Sequence, residues 1–157
     1  MFRQERYGFN NNRFLIYKFR TMQHETVPDR LVQQATRNDP RVTRIGFLLR
    51  RSSLDELPQL FNILRGEMSL VGPRPHAAAH NKKYAQLIDG YLARHRVKPG
   101  LTGLAQVRGA RGETESLQQM KRRLDYDLAY IANWSMYLDL EVLLMTVPAV
   151  LRGTNAY

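Results

Sequence analysis

Two adjacent carboxylates, Asp55-Glu56, with Arg50 and Arg51 about one turn upstream, are the residues of this chain best suited to chemistry. The spacing predicts that they open a helix, where neighbouring side chains point roughly 100° apart. They are therefore not a dyad sharing one proton. Different tasks suit them better, one on a substrate and one on a metal. The first turn of a helix favours an ionised carboxylate, and a carboxylate nucleophile attacks as the anion. The same residues also spell a capping box, Ser53 to Glu56, a reading that needs no chemistry.

Gly72-Pro73-Arg74-Pro75 holds one arginine between two prolines. Such stiffening lowers the entropy cost of presenting a guanidinium to a phosphate, although a helix-entry turn with an exposed Arg reads the same way. Lys18 and Arg20 alternate with Tyr17 and Phe19, so two cations share one strand face, either a phosphate contact or an ordinary solvated face. His76 and His80 have the spacing of two helix-borne metal ligands, but no Glu completes a zincin pattern, and His24 and His95 stand apart. Trp134 with Tyr130 and Tyr137 reads as an interfacial aromatic cluster or as core packing.

The elements that must carry these residues follow from periodicity and turn chemistry. Residues 2–22 read as a β-hairpin turning at Gly8-Phe9-Asn10-Asn11-Asn12, followed by a polar loop over 23–38. Asp39-Pro40 predicts a helix start, with Val42, Ile45, Leu48 and Leu49 as its apolar stripe. A second helix runs from Ser53 to Leu64, and Gly66 stops it. A short strand over Met68–Val71 precedes the Gly-Pro-Arg-Pro turn, and a third helix is expected from His76 to Arg94. Pro99-Gly100-Leu101-Thr102-Gly103 leads to a strand over Leu104–Val107, then a polar loop over Arg108–Thr114. A long amphipathic helix from Ser116 to Asn133 and a last one over Leu138–Val147, bent at Pro148, complete the chain. The absence of βαβ regularity makes this a compact, helix-rich α+β domain.

Composition narrows the partners. The chain has 157 residues, enough for one domain with a sizeable core, and a formal net charge of +10. Only five of its 24 basic residues are lysine, and arginine forks match phosphate and carboxylate oxygens bidentately. The excess charge favours anionic partners, yet no nucleic-acid-recognition motif is present. The lack of cysteine excludes disulfides, thiolate metal sites and a thiol nucleophile. The longest apolar stretch, Leu138–Leu151, is broken by Asp139, Glu141 and Pro148 and falls short of a membrane span.

Four segments in order, RQERYGFNNNRFLIYKFRTM, DPRVTRIGFLLRRSSLDELPQLFNILRGEMSLVGPRP, KPGLTGLAQVRGARGETES and LDYDLAYIANWSMYLDLEVLLMTVPAVLRGTNAY, cover nearly the whole chain. Together they closely resemble the bacterial sugar transferase family, the monotopic polyprenyl-phosphate phosphoglycosyl transferases. The RGETES loop and the Asn-Ala-Tyr terminus are most similar to the exopolysaccharide branch, the undecaprenyl-phosphate glucose phosphotransferases. The resemblance implies transfer of hexose-1-phosphate, with glucose the expected sugar, from a UDP-sugar to undecaprenyl phosphate, releasing UMP through an aspartyl-phosphosugar. By the same resemblance Asp55 is the nucleophile and Glu56 supports Mg²⁺ at the diphosphate. Arg50, Arg74, Lys18 and Arg20 would hold phosphate, and Asp127 matches a further acidic position. It also implies a single catalytic domain over 1–157, truncated ahead of its hydrophobic N-terminal segment. Amphipathic helices would face an anionic membrane on the cytoplasmic side of the bacterial inner membrane. A catalytically silent, basic membrane-surface-binding remnant is the alternative.

Overall fold

The computed structural model describes residues 1–23, 39–110, 112 and 116–151, apart from the side chains of residues 79 and 80. Most of the polar loop expected over 23–38, His24, the His80 side chain and most of the RGETES segment lie outside these residues. Strand β1 (Phe2–Tyr7) pairs antiparallel with β2 (Arg13–Lys18), from Phe2 opposite Lys18 to Tyr7 opposite Arg13. A 3-10 turn over Phe9–Asn11 closes the hairpin, with Asn10 and Asn11 taking the positive φ that asparagine tolerates. Phe14 and Ile16 point inward from β2 and form a small core with Met68 and Ile63. Asn62, fully buried on α2 (Gln59–Leu64), accepts from the Tyr17 backbone N–H at 3.1 Å and donates to the Leu15 carbonyl at 2.7 Å. That amide completes the outer edge of β2 and fixes its distance from the helix.

Helix α1 (Arg44–Arg51) starts four residues later than Asp39-Pro40 predicts. Asp39 instead accepts from the Arg41 backbone and guanidinium, at 3.0 and 2.8 Å, in a local Asx turn. Thr43 is the true N-cap, its hydroxyl accepting from Gly46 N–H at 2.9 Å. The apolar stripe of α1 does not enter the core: Ile45, Phe47 and Leu48 are exposed, and only Gly46 is buried. A Cβ there would stand 2.1 Å from the Thr21 carbonyl oxygen, so α1 lies directly on the backbone following β2.

β3 (Ser69–Val71) pairs in parallel with β4 (Gly100–Thr102), Ser69 opposite Gly100 and Val71 opposite Thr102. Close approach here depends on glycine: a Cβ on Gly100 would stand 2.1 Å from Gly72 N, and one on Gly103 2.1 Å from Gly72 O. The third predicted helix is divided into α3 (Ala78–Leu87) and a 3-10 turn over Tyr91–Arg96, with Gly90 at φ 74° between them. Leu104–Val107, expected as a strand, is the single-turn helix α4, and the strand lies just before it at β4. Ala105 buries against the neighbouring elements and the backbone continues as i→i+4 bonds from Gly103 and Leu104, which apolar content alone does not distinguish from a strand.

Helices α5 (Leu117–Ala132) and α6 (Met136–Leu151) complete the fold. Ser116 and Gln119 form a full capping box on α5. Tyr84, Ile88, Tyr91, Met120 and Leu124 make one core between α3 and α5, and Val71, Tyr130 and Val142 another between β3, α5 and α6. α6 continues through Pro148 to Leu151, past the expected end at Val147. The aromatic cluster divides: Tyr130 is buried with its hydroxyl 2.7 Å from Asp139 Oδ1, whereas Trp134 and Tyr137 are exposed. The whole is an α+β domain, as the sequence predicts. None of the helices among the described residues is long and apolar enough to cross a membrane.

Candidate active site

The carboxylate pair does not open a regular α-helix. Ser53 adopts the left-handed conformation (φ 59°, ψ 13°), its side chain makes no capping hydrogen bond, and Leu54–Glu56 form one 3-10 turn. The capping box is therefore absent, because the Glu56 carboxylate faces Lys18 and Arg74 instead of the turn's own backbone. Successive residues of a 3-10 turn diverge by about 120°, which separates the two carboxylates more than an α-helix would. A backbone bond from Phe19 N–H to the Asp55 carbonyl, 2.9 Å, ties this turn to the end of β2.

Glu56 is 7% exposed and gathers cations from two distant segments. Lys18 at the end of β2 donates from Nζ to Oε1 at 2.6 Å. Arg74, in the turn after β3, donates from Nη1 to Oε2 at 3.1 Å and from Nη2 to Oε1. Burial alone would raise the Glu56 pKa, but Arg74 and Lys18 together outweigh it and hold the carboxyl well below its ordinary range. Asp55 behaves oppositely. Burial and the Glu56 charge raise its pKa, against the pull of Lys18, Arg74 and Arg50. One carboxylate is thus paired with two cations while its neighbour is the more basic of the two.

Arg50, at the C-terminal end of α1, donates from Nε to the Thr21 hydroxyl at 2.8 Å, and its charge is felt at Asp55. Asp55, Glu56, Lys18, Arg50 and Arg74 are therefore neighbours in one electrostatic site. Arg20 lies beyond the end of β2, exposed, and joins them through no hydrogen bond or ion pair described. Asp127 is 2% exposed on α5 and paired with Arg94, 2.7 Å from Nη2 to Oδ2, so it does not line the opening.

Two arginines that residue type and spacing do not single out also belong here. Arg6 on β1 donates to the Pro75 carbonyl at 3.3 Å, and burial, followed by repulsion from Arg74, lowers its pKa to about 10. Arg94 donates to the Arg74 carbonyl at 2.6 Å. The available signal was weak: Arg6 alternates with Gln4 along a strand, and Arg94 ends an apparently continuous helix. Beside Glu56 opens a largely apolar cavity of about 200 Å³, walled by Ser53, Leu57, Leu70, Leu101 and Leu143.

The site can hold phosphate oxygens on Arg and Lys while a neighbouring carboxylate stays available for attack. Among the described residues no group of three or more His, Cys, Asp or Glu is gathered to hold a metal. The donor set nonetheless fits Mg²⁺, which takes one or two carboxylates and completes its shell with phosphate oxygens and water. Glu56 has about four acceptor positions, three of them engaged by Lys18 and Arg74, and Asp55 adds a second carboxylate.

Fold and site define a small α+β domain with an acid-and-arginine centre of a kind that can hold phosphate oxygens. Residues 1–153 match the family model described as bacterial sugar transferase, and the chain belongs to that family. It is 54% identical over 156 residues to a UDP-glucose:undecaprenyl-phosphate glucose-1-phosphate transferase of Xanthomonas campestris pv. campestris, covering 99% of this chain and 32% of that protein. The protein of the same name from Caulobacter vibrioides is 54% identical over 158 residues, covering 100% of this chain and 58% of the relative. A UDP-galactose-lipid carrier transferase of Erwinia amylovora is 41% identical over 167 residues, 98% of this chain and 33% of the relative. The chain spans about a third of the length of the first and third of these and just over half of the second.

Proposed function

We propose that this chain is a phosphoglycosyl transferase domain that moves hexose-1-phosphate, with glucose the preferred sugar, from a UDP-sugar to undecaprenyl phosphate. The observation that carries the reading is the division of labour in the turn: Glu56 is tied to Lys18 and Arg74, whereas Asp55 beside it keeps a raised pKa among the same cations. An Asp55 carboxylate oxygen attacks the phosphorus bearing the sugar. The bond from that phosphorus to the bridging oxygen breaks, and UMP leaves with the electron pair. An oxygen of the lipid phosphate then attacks the same phosphorus, the bond to Asp55 breaks, and the carboxylate returns unchanged. Arg74, Lys18 and Arg50 neutralise charge that spreads over the phosphoryl oxygens, the main task in such transfers. Glu56 holds Lys18 and Arg74 in place, and its remaining acceptor position would hold Mg²⁺, which when bound supplies further neutralisation of the diphosphate.

The apolar cavity beside Glu56 gives the first isoprene units of the lipid acceptor somewhere to lie. Ile45, Leu48, Leu64 and Leu144, all exposed, would seat the domain on the cytoplasmic face of the bacterial inner membrane. The relatives' names support both substrates: two specify UDP-glucose and undecaprenyl phosphate.

The test is Asp55→Asn in the full-length protein with a UDP-sugar labelled in the hexose. The unmutated protein should release UMP and retain label on Asp55 when the lipid is withheld; the variant should do neither. Normal turnover by Asp55→Asn would overturn the assignment of the nucleophile, and failure of the unmutated protein to release UMP would favour a catalytically silent domain.

A further inference from the structure

We infer that the buried Asp127–Arg94 pair is a positioning device for Arg74, coupling helix α5 to the phosphate-binding guanidinium through the backbone of the Gly72–Pro75 turn. The inference rests on the phosphate-holding role proposed for Arg74. Both charged side chains are almost fully enclosed, Arg94 at 2% and Asp127 at 3% exposure. A pair so placed contributes little net stability, because desolvation offsets most of the attraction. What distinguishes this one is where the hydrogen bonds of Arg94 go.

Arg94 Nη2 lies 2.7 Å from Asp127 Oδ2 as an ion pair without hydrogen-bond geometry, and donates to the Arg74 carbonyl at 2.6 Å. Its Nη1 donates to His76 Nδ1 at 2.5 Å and to the Tyr91 hydroxyl at 3.3 Å. One planar guanidinium therefore grips residues 74 and 76, on both sides of Pro75. Gripping matters here because Pro73 and Pro75 have no N–H with which a sheet ladder could hold the turn. Arg6 adds a bond to the Pro75 carbonyl. Backbone bonds from Gly72 N–H to the Thr102 carbonyl, 2.9 Å, and from Gly100 N–H to the Pro73 carbonyl, 3.0 Å, anchor the start of the turn. Beyond Pro73 it is held by side-chain donors, and its outward product is the Arg74 guanidinium on Glu56. A lysine at 94 could keep the charge opposite Asp127 but has no planar fork to span both residues.

The experiment uses the full-length protein and two replacements, Arg94→Lys and the double Arg94→Met/Asp127→Leu, which removes both charges and leaves neither ion unpaired. Each is made with Arg74 intact and with Arg74→Ala. With Arg74 intact, both should melt close to the parent and lose about tenfold to a hundredfold in kcat/KM for the UDP-sugar, the loss lying mainly in KM. In the Arg74→Ala background the same replacements should cost less than about threefold, since what they position is already gone. The Arg74 guanidinium ¹⁵N–¹H resonance should broaden in both, a readout independent of turnover. Unchanged kcat/KM together with an unchanged Arg74 resonance would overturn the inference, as would an equal loss in the two backgrounds. If the double replacement does not fold, Arg94→Lys alone decides by the same comparison. If Arg74→Ala has no effect on UDP-sugar use while the resonance does broaden, it is the phosphate role of Arg74 that fails and the positioning contact that stands.

Discussion

At the residue scale, the central fact is that two neighbouring acids are driven in opposite directions. Asp55 is ionised only above a pKa raised from the ordinary 3.8, so formation of the phosphosugar adduct should fall as pH drops through that raised value. Lys18 is one of the charges that lower it. Lys18→Met should therefore move the acid limb of adduct formation to higher pH, measured as single-turnover rate against pH. The expectation fails if the limb stays put or moves down. Glu56 works in the other sense for stability: its depressed pKa contributes stability present above the ordinary 4.5 and lost as pH falls towards the folded value. Removing Lys18 should thus also flatten the loss of melting temperature below that pH. The acids, Lys18, Arg50 and Arg74 were legible from residue type and local spacing. Arg6 and Arg94 were not, because what brings them to the site is contact with Pro75, 69 residues from Arg6, and with Arg74 across a fold the local pattern does not describe.

At the element scale, the sequence was clearest where a local signal met no tertiary competition. Ser116 and Gln119 spelled a capping box and formed one; the hairpin ends where its turn residues indicate. Ser53 and Glu56 spelled the same box and did not, because two cations claimed the Glu56 carboxylate. Leu104–Val107 and β4 exchanged roles for a related reason: the segment read as punctuation holds the strand, Gly100–Thr102, and glycine at 100 and at 103 lets the chain lie against Gly72. Gly100→Ala should accordingly cost about 1–3 kcal/mol or more in unfolding free energy, because its Cβ would overlap the Gly72 nitrogen and backbone cannot yield cheaply. A denaturant titration checks this, and a variant as stable as the parent would show that the strands can part. The same substitution should lower UDP-sugar use through displacement of the Arg74 turn. Gly90→Ala, where a Cβ meets nothing within 4 Å and only the positive φ resists it, should cost less than Gly100→Ala.

At the scale of the whole molecule, the net charge of +10 and the exposed leucines, isoleucine and phenylalanines on α1 and α2 combine into one expectation. The chain should bind vesicles containing phosphatidylglycerol, weaken as salt screens the charge, and keep a salt-resistant remainder from the apolar contacts. Leu48→Asp with Leu64→Asp should remove that remainder in a sedimentation assay while adduct formation from UDP-sugar in detergent persists. Binding abolished entirely by salt in the parent would leave the apolar surface without this role. The sequence marked Leu48 as part of an apolar helix stripe, and periodicity reports that a face is apolar and not what covers it.

The parallel pairing of β3 with β4 also sets an order of assembly. The hairpin closes across residues 8–12, whereas β3 and β4 cannot meet until the chain over 72–99 has looped back. Short closures lose less entropy and form sooner. The contact of Lys18 with Glu56 closes 38 residues and that of Arg94 with Arg74 closes 20, so loop length alone does not put the acids ahead of their arginine. During synthesis, however, the N-terminal half emerges first. The acids therefore leave the ribosome before Arg74 and Arg94, and the Glu56–Arg74 contact gains its support from Arg94 only when the second half of the chain is being made.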